Sequence, residues 1–388
     1  MRLKDVCTVF TDGDWIESKD QSEEGIRLVQ TGNIGEGIYL EKEERAKYIS
    51  EDTFERLKCT EIFPGDILVS RLPEPVGRAC IVPDKSERMI TAVDCTICRP
   101  DETIISKEYL CYFMRSNAYY TRLLGNVTGT TRKRISRKNL GNIELNIPTE
   151  DVQRAVVEQL DRLIKIIDSR IKEISLLDDL IKARFVEMFG TLDSPTQEFR
   201  KATLKELCNK ITDGKHGGCK SEAGTERYFV GAREIYDDEV HYDTAAEINT
   251  EEFEKDYKRC NLEIGDFLIV NTGATIGKSA IASDERTEHT LLQKSVALLK
   301  VKQEVLNPIF LKWCYRVNKQ MYMVESASAQ PNLLLSKINA TVIYVPNIEL
   351  QNQFADFVKQ VDKSRVAVQK ALDETQLLFD SLMQKYFG

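Results

Sequence analysis

The chain has 388 residues, the length of two ordinary domains, and its 42% hydrophobic and 30% charged residues exclude a disordered chain. Its 54 basic and 62 acidic residues leave a net charge of −8, which excludes a polycation that coats nucleic acid or an anionic membrane by bulk charge. Any nucleic-acid contact must therefore use a local basic patch.

The start, Met1-Arg2-Leu3-Lys4-Asp5, lacks the apolar stretch of a signal peptide, and no run approaches the roughly 18–20 apolar residues that cross a bilayer. A cytoplasmic protein with no membrane partner is expected. Ten cysteines spread singly read as reduced thiols rather than a disulfide framework. Residues 1–148 carry short apolar runs such as Ile67-Leu68-Val69 and Ile143-Glu144-Leu145-Asn146-Ile147, bounded by Gly and Pro, which predict a mixed, strand-rich domain. From 149 to 190 Gly and Pro vanish until Gly190, and one long helix is expected. Val157, Leu160, Ile164, Ile167, Ile171, Ile174, Asp178 and Ile181 recur at alternating three- and four-residue steps, the seam of a coiled coil with one polar position. A short linker, 191–200, contains Ser194-Pro195.

A second strand-rich domain (201–346) and a second long helix (347–388) follow, the latter with a seam of Phe354, Phe357, Val361, Ser364, Val368, Ala371, Thr375, Leu378 and Leu382. The second half restates the first at an offset of about 198–201 residues. Leu3-Lys4-Asp5-Val6-Cys7 with Thr11-Asp12-Gly13 returns as Leu204-Lys205-Glu206-Leu207-Cys208 with Thr212-Asp213-Gly214, and Gly65-Asp66-Ile67-Leu68 as Gly265-Asp266-Phe267-Leu268. Tyr109-Leu110 with Arg115 returns as Phe310-Leu311 with Arg316, and each half closes on Phe-Gly, at 189–190 and 387–388. The fold class expected is α+β: two mixed domains related by a pseudo-two-fold axis and separated by two antiparallel coiled-coil helices. At 1.5 Å per residue each helix spans about 55–60 Å, the geometry of a ruler.

Catalytic motifs fail. Gly273 to Gly277 encloses three residues where a phosphate-binding loop needs four. Cys95-Thr96-Ile97-Cys98 is a lone pair that reads as a strand rather than a metal site. The three histidines all lie in the second half, so no His-based site is duplicated. No glycine-rich cofactor loop follows a strand, and no aminomethyltransferase motif is present. Charge patterning says more: from Tyr109 through Ile143 there is no acidic residue while Arg115, Arg122, Arg132, Lys133, Arg134, Arg137 and Lys138 are basic. The equivalent stretch holds Lys312, Arg316, Lys319 and Lys337 against Glu325, with Trp313, Tyr315 and Tyr322 interleaved. The loop around Gly129, with Thr130, Thr131, Arg132, Lys133 and Arg134, supplies small residues beside groups that reach phosphates or guanine edges. Its counterpart offers Gln330 and Asn332, whose amides suit adenine. The loops after each Thr-Asp-Gly, with Asp14-Trp15-Ile16 in one half and Lys215, His216 and Lys220 in the other, are second candidates.

Gly129-Thr130-Thr131-Arg132-Lys133-Arg134-Ile135-Ser136, then Leu140 and Asn146-Ile147-Pro148 leading into Gln153-Arg154-Ala155-Val156-Val157 and a long helix, resembles the specificity subunit of type I restriction-modification systems. The second copy ends in Val345-Pro346 and enters its helix at Gln351-Asn352-Gln353-Phe354, so the resemblance covers the whole chain. It departs from the family where the loop commonly carries Gln: Arg132 stands there in the first copy, and Gln330 is followed by Pro331 in the second. The resemblance implies two target-recognition domains, each reading half of a split double-stranded DNA sequence, with the helices fixing the gap. It also implies no catalysis and no cofactor in this chain. Two modification subunits would bind S-adenosylmethionine and methylate adenine, and restriction subunits would use ATP and Mg²⁺. The candidate DNA-contacting residues are Thr130, Thr131, Arg132, Lys133, Arg134, Arg137, Lys215, His216, Lys220, Gln330 and Asn332; Leu160, Ile164, Ile167, Ile171, Ile174, Ile181, Phe357, Val361, Val368 and Leu378 are the helix-packing set. The competing readings are a self-contained methyltransferase or nuclease with divergent motifs, and a structural coiled-coil protein.

Overall fold

A computed structural model describes residues 1–129, 133–323 and 331–388. Contacts divide the chain into two units, residues 1–171 with 370–388, and residues 172–369.

In the first unit Cys7–Asp12, Cys95–Pro100, Ile67–Ser70 and Ala79–Ile81 form an antiparallel sheet in that order. Side chains alternate across a strand, and here both faces are covered, so the strands read as continuous apolar runs. Ile67, Val69, Ala79 and Cys98 pack on the helices Lys107–Phe113 and Asn117–Leu124. Leu68, Cys80, Cys95 and Ile97 pack on a second sheet ordered Tyr48–Ile49, Ile26–Val29, Met89–Thr91, Glu61–Ile62. Cys95 and Cys98 thus lie on opposite faces, which explains why a C-x-x-C spacing on a strand cannot chelate.

The second unit repeats the first sheet with Cys208–Asp213, Val296–Val301, Phe267–Val270 and Ser279–Ile281 in the same order. Even the irregularity recurs: register shifts between Cys7 and Val9 in one copy and between Cys208 and Lys210 in the other. Its second sheet differs, with three strands (Ala246–Glu247, Tyr228–Val230, Thr290–Leu292) and a separate hairpin, Ile235–Tyr236 with Glu239–Val240. The duplicated halves have diverged where the repeat was hardest to see.

The long helices run Glu150–Phe189 and Ile348–Phe387, and each contributes to both units. In the first unit Leu160, Ile164 and Ile167 join Phe379, Leu382 and Met383 in one core, and Tyr386 Oη donates to Gln159. In the second, Ile181, Phe185 and Phe189 meet Phe354, Phe357, Val358 and Val361, and Arg365 pairs with Asp178. Within each unit rising numbers on one helix meet falling numbers on the other, so the pairing is antiparallel. Ile174 and Val368 are half-buried.

Three members of the expected seam are corrected: Ser364 is exposed, and so are Ile171 and Leu378. Ile171 is 53% exposed because Arg170 takes its place, donating to the Ala371 carbonyl and the Thr375 hydroxyl. Leu378 is 50% exposed and Phe379, 7% exposed, faces inward instead. A strict seven-residue repeat averages 3.5 residues per turn, so on a 3.6-residue helix the inward face drifts toward a four-residue step, here from Thr375 to Phe379.

Each helix starts with the same polar anchor. Gln153, 3% exposed, accepts from the Ser106 N–H at 2.9 Å and donates to the Ile104 and Pro148 carbonyls, both at 3.0 Å. Gln351, fully buried, accepts from the Asn307 N–H at 2.9 Å and donates to Val305 and Pro346 at 3.0 and 2.8 Å. Each helix also ends alike: the Phe189 ring lies 4.9 Å from Phe310 and the Phe387 ring 5.0 Å from Tyr109.

All ten cysteines are free; Cys7 and Cys219 are half-buried and the other eight buried. Burial pushes the Cys95 and Cys314 thiols up to about 12, so they are unreactive thiols at neutral pH. Titration of the native chain with a chromogenic disulfide should therefore give at most two fast thiols and ten after denaturation. Four or more fast thiols would contradict this packing. No described helix is long and apolar enough to cross a membrane.

Candidate nucleic-acid interface

Both Thr-Asp-Gly corners end the first strand of their sheet and run tightly against a neighbouring strand. A Cβ on Gly13 would stand 2.3 Å from the Thr91 carbonyl oxygen, and one on Gly214 2.1 Å from that of Leu292. Only glycine lets the backbone pass so closely, and this fixes the acidic residue before each glycine at the sheet edge.

In the first domain Asp12 accepts from Thr96 Oγ1 at 3.0 Å, with Arg71 Nε at 3.4 Å and Arg137 Nη1 at 3.9 Å. Arg137 also donates to Thr11 Oγ1 at 3.3 Å. Thr128 and Arg134 exchange backbone hydrogen bonds of 2.9 Å, and the Ile135 N–H reaches the Arg71 carbonyl at 3.3 Å, which carries the loop back to the same edge. There Arg134 Nη2 lies 3.3 Å from Asp94 Oδ1. Lys133 is exposed. Thr130, Thr131 and Arg132 lie outside the described residues. Trp15, 70% exposed, follows the corner, while Asp14 accepts the Thr60 N–H at 2.8 Å and burial raises its carboxyl above the usual range.

The second domain brings the equivalent positions together. The Leu333 N–H reaches the Asn271 carbonyl at 2.7 Å just as Ile135 reaches Arg71, so Asn332 stands where Arg134 stands and Asn271 where Arg71 stands. Asp213 pairs with Arg259 and with His216 Nε2 at 3.2 Å. Thr272 Oγ1 donates to Asn332 Oδ1 at 3.4 Å. A cleft of about 460 Å³ opens here, lined by Asp213, His216, Asn271, Lys294 and Asn332 among others. Gln330 lies outside the described residues.

Lys215 and Lys220 both lie beside the helix Thr250–Tyr257. Lys215 Nζ is 2.8 Å from Asp256 and 3.3 Å from Glu252, and the hydrogen bond to Asp256 holds its ammonium well above the usual range, so it is tied to the helix Thr250–Tyr257. Lys220 is exposed, and its backbone N–H is held by Glu252 at 3.2 Å. Much of the basic stretch is structural. The Arg115 guanidinium stacks on Tyr112 and Phe379, Arg122 donates to the Glu144 carbonyl, and Lys312 and Arg316 pair with Asp238. Trp313 and Tyr315 are core residues, 3% and 1% exposed. The sequence reading missed Arg71, Asp94, Asn271 and Lys294; alignment of the two copies after their Ile-Leu-Val-Ser and Phe-Leu-Ile-Val strands would have found the Arg71 and Asn271 positions. Among the described residues no group of three or more His, Cys, Asp and Glu is arranged to hold a metal.

The family model described as type I restriction modification DNA specificity domain matches residues 1–176 and again 196–375. Curated relatives include the type I restriction enzyme EcoBI specificity subunit of Escherichia coli, 23% identical over 304 residues, which cover 69% of this chain and 63% of that protein. The EcoKI specificity subunit of Escherichia coli strain K12 is 19% identical over 315 residues, 76% of this chain and 67% of that one. The chain thus spans a little under two thirds of the EcoBI relative. Two solved structures share the fold. One comes from a study of complex assembly and conformational transition of the type I R-M system, with a TM-score of 0.63, 16% identity and coverage of 100% of this chain and 96% of that one. The other is the type I S subunit of M. genitalium, with a TM-score of 0.52, 14% identity and coverage of 100% and 95%. With two matches that together take in most of its length, the chain belongs to the type I restriction modification DNA specificity domain family.

Proposed function

We propose that this chain is the sequence-reading subunit of a type I restriction-modification complex, acting in the cytoplasm and without catalysis of its own. Each domain reads one half of a bipartite double-stranded DNA target, and the paired helices set the unread gap. Two modification subunits carry S-adenosylmethionine and methylate adenine; restriction subunits use ATP and Mg²⁺ to translocate and cut. One observation carries this reading: the same polar edge, at the same place on the same sheet, occurs twice in one chain with different side chains, as two readers of two sequences require.

The chemistry fits the division of labour. Methylating a base requires flipping it from the duplex, and a separate reader must hold register meanwhile. A chain of net charge −8 leaves most phosphate neutralisation to its partners and directs its own polar groups to base edges. Mapping methylated adenines in the host with and without this gene is expected to show loss of one split motif with a constant gap. Exchanging residues 201–346 for another recognition domain should then change one half only, and lengthening the helices should change the gap only. An unchanged methylation map on deletion, with no methyltransferase co-purifying, would sink the assignment.

A further inference from the structure

The cleft of the second domain holds an unanswered polar atom. Asn271 is 4% exposed and lines the cleft, yet its Oδ1 has no hydrogen-bond partner among the described residues. A buried carbonyl oxygen left without a donor is costly, and a donor brought by a ligand is one way to answer it. Around it Asn332 and Lys294 are exposed, and the Asn332 carbonyl oxygen accepts a long 3.4 Å bond from Thr272. In the first domain the corresponding position carries Arg71, whose buried guanidinium lies beside Asp12 and donates to the Val93 carbonyl. The longer side chain takes the place that asparagine leaves open, and Arg134 presents a cation where Asn332 presents an amide.

Resting on the reading proposed above, we propose that this cleft takes the edge of one A·T base pair in the major groove, and that Asn332, with Asn271 and Lys294 behind it, chooses that pair. A side-chain amide matches adenine bidentately, its oxygen accepting from the N6 amine and its nitrogen donating to N7. Where Asn332 presents an amide, the first domain presents the half-exposed guanidinium of Arg134, which matches the O6 and N7 of guanine. The two domains therefore read different bases from one scaffold position.

The test moves the first domain's chemistry into the second. The full chain with Asn332→Arg and Lys294→Val carries the residues found at the equivalent positions, and both sites are exposed, so folding should hold. Methylated-adenine maps of cells carrying each chain are expected to show one position of one half-site shifting from A·T toward G·C by about tenfold or more, with the other half and the gap unchanged. A motif unchanged in both halves would overturn the proposal. So would loss of all methylation by a variant that still co-purifies with its methyltransferase, because the pair would then set affinity and not base choice. If the unsubstituted chain itself directs no split motif, the reader assignment fails first and this inference with it.

Discussion

Replacing Gln351 by leucine is expected to destabilise the second unit by roughly 3–5 kcal/mol, although the two side chains are of similar size. The substitution leaves the Asn307 N–H and the Val305 and Pro346 carbonyls without their partner, the fully buried Gln351 amide. Each orphaned group costs about 1–3 kcal/mol, and burying leucine returns only part of that. Gln153→Leu should do the same to the first unit, where Ser106, Ile104 and Pro148 lose their partner. Urea unfolding followed by near-ultraviolet circular dichroism measures both. A change below about 1 kcal/mol in both variants would mean that water replaces the amide and the anchor is dispensable.

A loss of about 3–5 kcal/mol is likewise expected for Phe189→Ala, by cavity formation alone. The ring is fully buried, with centroids 5.0 Å from Phe185, 4.9 Å from Phe310 and 5.7 Å from Phe354, so it touches both long helices and the domain between them. Aromatic pairs at such distances add about 0.5–1.5 kcal/mol beyond their buried area. Leu377→Ala is the control: that side chain is 72% exposed, and its removal should stay within about 0.5 kcal/mol. If the two variants unfold at the same urea concentration, the aromatic cluster is not what closes this core.

The duplication was legible because both copies need the same residues for the same local reasons. The Thr-Asp-Gly corner needs its glycine, and the Gly65-Asp66 and Gly265-Asp266 turns keep left-handed glycines, with φ of 91° and 95°. The long helices were legible because nothing in them breaks a helix. The seam was legible for most of its length, but Ile171 and Leu378 depended on competition with Arg170 and Phe379, which hydrophobic periodicity does not weigh. The site was the least legible part. Charge along the sequence marks Lys215, yet one of its carboxylate partners, Glu252, lies 37 residues away, a pairing that no local charge pattern reveals. Asn271 carries no charge, so no charge pattern points to it, and only the fold brings it beside Asn332.

Because residues 370–388 belong to the first unit, the order of synthesis and the order of completion differ. The second unit is one unbroken stretch, 172–369, and every part of it has been synthesised before Phe379, Met383 and Phe387 are added. Those three side chains complete the core around Tyr109 and Phe113. The domain translated first is thus the one finished last. A premature stop just after residue 369 would give a chain with its second unit intact and its first left open, and such a chain would be marked for proteolysis by the unclosed half.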